Sequence, residues 1–248
     1  TMSNINDTFY DGYYKDIWKA IIPEELTNRE SDFLINYFNL KAGNRVLDLM
    51  CGYGRHALAL GRKGIAITAV DNLAAYISEI DLLAQKENLP IKAIQQGVLH
   101  FVCDEDIDLA ICMGNSLNFF NAADTLSILS NTCKSLKPGG HLLINGWSLA
   151  EIVYKNFSSR TWSEINGIKF LTESRLLFFP SRLESDSTTI AADGSMEQKA
   201  GVDFIYSLNE MENLLLATGY KIEEVFSIPG KKKFTLGDPR VYIIAKKL

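Results

Sequence analysis

The residues of this chain best equipped for chemistry are an acid, a thiol and two glycines in one stretch, Arg45 to Leu60, RVLDLMCGYGRHALAL, with a second acid, Asp71, beyond it. Asp48, Cys51, Gly52 and Gly54 fall between an apolar run, Val46 to Leu49, and a helical pattern. A strand, a glycine turn and a helix in that order aim free backbone N–H groups and a helix N-terminus at whatever lies over the turn. Glycine at Gly52 and Gly54 would let a ligand approach backbone where a Cβ would collide. Asp71 closes the next apolar run, at the offset expected of an acid beside a ligand-binding turn of this kind. An ordinary tight turn would have no use for that acid.

The elements that must position these groups follow in chain order. Phe9 to Trp18 carries Phe9, Tyr10, Tyr13, Tyr14 and Trp18 at spacings that predict a short amphipathic helix, packed on the body or closing over the glycine turn as a lid. Thr27 to Glu30 has the capping-box form and predicts a helix start. Apolar runs predict strands at Val46–Leu49, Ile65–Val70, Ile91–Gln96, Ile107–Met113 and His141–Trp147. Helical patterns lie between them, one with Asp124 as its expected N-cap, and Lys137-Pro138-Gly139-Gly140 turns into the fifth strand. This alternation predicts an α/β fold with a doubly wound, mostly parallel sheet. Ligands on such sheets gather at the carboxyl ends of the strands. That rim would bring together Asp48 to Gly54, Asp71 and Asn72, Gln96 to Val98, Met113 to Ser116, and Gly146 with Trp147.

Residues 148–206 break the alternation. Asn166-Gly167 and Asp193-Gly194 are two-residue hairpin signals between extended runs, so a small antiparallel β insertion is expected after the fifth strand. Residues 1–147 and 207–248 then form the main Rossmann-like domain, and 148–206 a substrate cap or a homodimer surface. Ser207 to Glu210 is a second capping box. The last two strands, Lys221–Ile228 and Val241–Lys246, are joined by a loop too short for a crossover helix and must pair antiparallel.

A chain of 248 residues with 47% hydrophobic content can bury a full core. Its net charge of −5 and lone Lys231-Lys232-Lys233 cluster offer no stripe for tracking phosphates, so no nucleic-acid partner is expected. Four scattered cysteines show no zinc spacing, and no metal is expected. No signal peptide and no apolar run of membrane-spanning length is seen, so the expectation is a cytoplasmic protein with no membrane partner.

Taken together, VLDLMCGYGRHA, the acid of Ala69-Val70-Asp71, IDLAICMGNSLNF and LKPGGHLLI resemble the class I S-adenosylmethionine-dependent methyltransferases over most of the chain outside the insertion. The resemblance implies seven strands in the order 3-2-1-4-5-7-6, the seventh antiparallel, and S-adenosyl-L-methionine as cofactor. It implies that Asp48, Cys51, Gly52 and Gly54 flank the methionine moiety. Asp71, with Asn72 beside it, would take the ribose hydroxyls, Gln96, Gly97 and Val98 would lie by the adenine, and Met113, Gly114, Asn115 and Ser116 would pass beneath the sulfonium. Many relatives carry an aspartate for the adenine amino group where this chain has Gln96-Gly97-Val98.

The alternative is an NAD(P)-dependent oxidoreductase, since Gly52 to Ala57 also satisfies G-x-G-x-x-A. The position of Asp48 before the glycines, the KPGG turn and the absence of a Tyr-x-x-x-Lys pair count against it. A non-catalytic S-adenosylmethionine-binding protein is the third reading. The expected reaction is in-line transfer of a methyl group to nitrogen or oxygen of a small molecule, as no Asn/Asp-Pro-Pro-Tyr/Phe signature follows the fourth strand. Phe119, Trp147, Arg175 and Tyr206 are the candidate substrate-side residues. No catalytic base is assigned: His56 and His141 fit structural roles, and nothing fixes a role for His100.

Overall fold

The computed structural model describes residues 4–248. Its centre is an eight-stranded sheet in which β1 (Arg45–Leu49) lies between β2 (Ala66–Asp71) and β4 (Ile107–Cys112), all parallel. Outside β2 runs β3 (Ile91–Gln95), and outside β4 runs β5 (Leu136–Gly146). Burial explains the arrangement. Val46, Leu47, Leu109, Ala110 and Ile111 have no exposed surface, as central parallel strands covered on both faces require. One apolar cluster packs on each face of the sheet, and the alternating side chains of each strand feed both.

The expected strand order holds: β12 (Val241–Lys247) pairs antiparallel with β5 and with β10 (Tyr220–Ile228), as the seventh and sixth strands should. An eighth short strand is new. Within the loop Pro229 to Pro239, β11 (Lys232–Lys233) folds back on β10, so the lysine cluster forms a sheet edge. Charged residues there discourage further strand addition.

Three local expectations are corrected. The first long helix, α2 (Glu24–Tyr37), starts before Thr27 with Pro23 at its N-cap, and Thr27 and Glu30 are buried inside it. The T-x-x-E pattern fails as a cap because both side chains are used in tertiary contacts. Helix α5 (Ala122–Ser135) is capped by Asn121, whose side chain accepts from the Asp124 N–H, instead of by Asp124. Lys137 to Gly140 are absorbed into β5 as a bulge: Ile107 faces Leu136 and Leu109 faces His141, so all four oppose Asp108 alone. A Cβ on Gly140 would come within 3.0 Å of the Lys137 carbonyl, so the bulge needs a glycine there. By contrast, Ser207 and Glu210 form the expected capping box at the start of α7 (Leu208–Ala217), an arrangement worth about 1 kcal/mol.

After β5 comes α6 (Ala150–Asn156), then a separate antiparallel sheet of β6 (Arg160–Ile165), β7 (Ile168–Phe178), β8 (Ser181–Ile190) and β9 (Met196–Phe204), in sequence order. Asn166 and Gly167 form the two-residue turn between β6 and β7, both with positive φ, as such a turn demands. At the amino end, α1 (Tyr13–Ile21) begins later than the aromatic run predicts, because residues 5–10 are in turns.

Candidate active site

The carboxyl end of β1 delivers Asp48 and then the turn Met50 to Gly54, which leads into α3 (Arg55–Gly61). Gly52 has φ of +56°, and a Cβ there would meet nothing within 4 Å, because this backbone faces open space. Gly54 is different. It is the left-handed N-cap of α3, and a Cβ on it would strike Ile80 at 2.6 Å, on the helix α4 (Ala74–Glu87). Its glycine serves helix packing.

Two acids flank the turn. The Asp71 Oδ2 accepts the Gly52 N–H at 2.9 Å and its Oδ1 accepts the Leu73 N–H at 2.9 Å. Each oxygen keeps a further lone pair for another donor. Burial pushes the pKa of Asp71 up, and the backbone donors of Leu73, Gly52 and Asn72 oppose this. Asp48 is 2% exposed, and its Oδ2 is buried with no hydrogen-bond partner among the described residues. Burial pushes it up to about 7, with the Arg55 charge opposing and the Asp71 charge adding. Burial likewise raises the Cys51 thiol, with the two acids adding to the shift, so it stays protonated at neutral pH.

Behind the turn, Glu30 holds the start of α3. It accepts from Arg55 Nη1 at 2.6 Å, shares a 2.8 Å hydrogen bond with His56 Nε2 and accepts the Tyr242 hydroxyl at 2.6 Å. Burial opposes its ionisation, but the hydrogen bonds and the Arg55 charge win, so Glu30 stays ionised. Burial and Arg55 keep His56 neutral. The pair therefore has the structural role that the position of His56 predicts.

These groups open onto a cavity of about 590 Å³, a size suited to a small-molecule cofactor with part of a substrate. Of the predicted residues, Asp48, Cys51, Gly52, Asp71, Asn72, Gln96, Gly97, Val98, Met113, Gly114, Ser116, Phe119 and Trp147 line it together. Gly54, Asn115, Arg175 and Tyr206 do not. Arg175 is on the outer face of β7, 3.6 Å from Glu184 and 3.7 Å from Asp186, with its side chain 63% exposed. Tyr206 is buried, and its hydroxyl donates to the Phe120 carbonyl at 2.6 Å. Asn115 is a strut beneath the site: its Oδ1 accepts the N–H groups of Trp147 and Ser148, and its Nδ2 donates to Ser148 and Asp203.

Sequence reasoning left out most of the roof. Residues 4–21 cross the cavity as a strap. Asn72 Nδ2 and the Tyr76 hydroxyl hold the carbonyls of Asp7 and Tyr10 on one side. On the other, Lys199 Nζ donates to the carbonyls of Thr8, Phe9 and Asp11, and Asn6 pairs with the backbone of Val202. Asn4, Asn6, Tyr10, Tyr14 and Trp18 thereby line the cavity. The four-residue spacing of Tyr10, Tyr14 and Trp18 was the available signal, and the lid alternative is where these rings are found.

The comparisons with known proteins bear on this geometry. The family described as "Methyltransferase domain" matches residues 46–140. An S-adenosyl-L-methionine-dependent Diels-Alderase from Talaromyces variabilis is 30% identical over 143 residues, 55% of this chain and 48% of that protein, so the chain spans about half the length of this curated relative. A solved S-adenosylmethionine-dependent methyltransferase from Clostridium acetobutylicum superposes with a TM-score of 0.82 at 19% identity, covering 94% of this chain and 96% of that one. An S-adenosylmethionine-bound amino pentose methyltransferase from Micromonospora echinaspora gives 0.72 at 16% identity, with 96% and 98% covered. At such identities the structural likeness is one of fold.

Proposed function

We propose that this chain, which belongs to the class I S-adenosylmethionine-dependent methyltransferase family, transfers a methyl group to a nitrogen or oxygen atom of a small molecule. The observation that carries the reading is the pair of acids at one glycine turn. Asp71 is tied to the Gly52 N–H, while the buried Oδ2 of Asp48, on the same cavity, has no partner among the described residues. The residues fit the cofactor. Asp48, with Cys51 and Gly52, would hold the methionine end, its orphaned oxygen meeting the ammonium group. Asp71 would accept from the ribose hydroxyls, with Asn72 at its side. Gln96, Gly97 and Val98 would border the adenine, and Met113, Gly114 and Ser116 would lie below the sulfonium.

When bound, the cofactor supplies an electrophilic methyl group open to in-line displacement, so the protein's task is alignment and exclusion of water. The strap meets that need by covering the cavity, and the sheet of residues 148–206 holds the strap through Lys199 and Val202. We take residues 148–206 as the substrate-facing insertion on the framework of 1–147 and 207–248, because Lys199 and Val202 hold the strap in place. The amino pentose methyltransferase likeness supports a small-molecule acceptor.

Thermal unfolding with added ligands is the test. S-adenosylmethionine or its demethylated product at 100 times Kd should stabilise the chain by about 2.7 kcal/mol, while NAD and NADP leave the Tm unchanged. Stabilisation by NAD alone would overturn the proposal.

A further inference from the structure

We propose that Asp7, on the strap, reads the adenine of the cofactor, its carboxylate accepting from the exocyclic amino group. This rests on the methyltransferase reading and adds to it a residue that decides which base the site accepts. Three carboxylates line the cavity: Asp7, Asp48 and Asp71. S-adenosylmethionine carries three sets of N–H and O–H donors: the ammonium, the ribose diol and the amino group of the purine. Asp48 and Asp71, at the glycine turn, answer the first two. Asp7 is the acid left for the third.

Its place in the fold agrees with that match. Residues 4–7 span the cavity between Phe119 and Asn72, both of which line it. At one end Asn4 Nδ2 donates to the Phe119 carbonyl at 2.9 Å, and at the other Asn72 Nδ2 donates to the Asp7 carbonyl at 2.9 Å. The Asn72 carbonyl in turn accepts from Gln95 Nε2, at the end of β3, at 3.4 Å. Asp7 therefore shares the β3 end of the cavity with residues 96–100, which also line it. The ribose joins the base on one side to the sulfonium on the other. With the methionine end at Asp48, the base falls at the end where Asp7 is held.

The carboxylate is fixed and has an oxygen to spare. Oδ2 accepts the Asn4 N–H at 2.9 Å, and the Asp7 N–H donates to the Asn4 carbonyl at 3.0 Å, a closed turn that restrains the side chain. Oδ1 has no hydrogen-bond partner among the described residues. The neighbouring amides are committed: Asn4 Oδ1 accepts the Asn6 N–H, and Asn6 uses both ends of its amide on Val202. Across the slot, Gln96 and His100 each have donor and acceptor atoms, so they can meet an amino or a keto edge alike. An ionised carboxylate only accepts. It holds an amino group and repels a keto oxygen, so Asp7 gives this end its preference. Because Asp7 belongs to the strap, the base is read by the element that closes over it.

The test is calorimetry on the full chain at neutral pH with S-adenosylhomocysteine and S-inosylhomocysteine, whose purines carry an amino and a keto group at the same position. S-adenosylhomocysteine should bind at least about tenfold more tightly. Asp7→Asn keeps an acceptor for the Asn4 N–H and adds a donor, so it should bring the two ligands within about twofold of each other. An unchanged Tm of the unliganded variant is the check on folding. Equal binding of the two ligands by the unmodified chain overturns the inference and leaves the methyltransferase proposal standing. So does a preference that survives Asp7→Asn, or an equal loss of both ligands in that variant, which would place the carboxylate on the ribose or the methionine end. Failure of S-adenosylhomocysteine to bind the unmodified chain overturns both.

Discussion

The floor and the roof of the cavity are built on different principles. The floor is local in sequence: β1, the turn and α3 follow one another, with Asp71 one strand away. Its positions are set by ladder hydrogen bonds and by burial on both faces of the sheet. The roof brings residues 4–21 onto β9 and α4 through side chains that grip backbone carbonyls, with few ladder bonds. A scaffold of the first kind fixes a cofactor, while one of the second kind can open and differ from protein to protein.

Substitutions should separate the two regions. The largest effect is expected in the floor's support: Glu30→Ala leaves Arg55 and the Tyr242 hydroxyl without their buried partner and should cost about 4 kcal/mol in denaturant unfolding. The sign of its pH dependence follows from a depressed folded-state pKa. The stabilisation is present above the unfolded carboxylate range and fades as pH falls toward the folded value of about 2. An unchanged midpoint in Glu30→Ala would show that the floor does not depend on this hub.

Next comes Asp71→Ala, which removes two charge-assisted acceptors and should weaken S-adenosylmethionine by about 3 kcal/mol in calorimetry. An unaltered Kd would mean the ribose lies elsewhere. Asp48 should give the floor a pH signature. With its carboxyl near 7 and a cationic ligand favouring the ionised form, cofactor affinity should fall about tenfold from pH 8 to pH 6. Asp48→Asn should flatten that profile.

In the roof, Lys199→Met removes the contacts to three carbonyls and Asp11, and should speed amide exchange over residues 4–12 by about tenfold with little change in global stability. A large drop in Tm would show that the strap is part of the core. Smallest of all, Arg175→Ala removes exposed ion pairs on the outer face and should alter stability by less than about 0.5 kcal/mol and cofactor binding not at all.

The same contrast explains what could be read in advance. The parallel strands, Ser207 with Glu210 as a cap, and Asn166-Gly167 as a turn were legible, because each depends on burial or backbone conformation within a few residues, while the strand order came from the family resemblance. Thr27 and Glu30 misled because a capping pattern and a buried polar hub use the same residue types. Arg175 and Tyr206 were placed by nearness in the chain. Which face of a strand or which carbonyl a side chain reaches is settled only when the sheets pack.

Sequence alone determined the rim of the candidate site: Asp48, Gly52, Asp71 and Met113 must converge, because parallel strands of one sheet present their carboxyl ends along one edge. Tertiary structure alone decided that Gly54 serves Ile80, that Glu30 anchors α3, and that Tyr10, Tyr14 and Trp18 line the cavity from its roof. Those contacts join residues far apart in the chain, and no local pattern encodes a pairing whose partners meet only after two sheets and a strap have closed on one another.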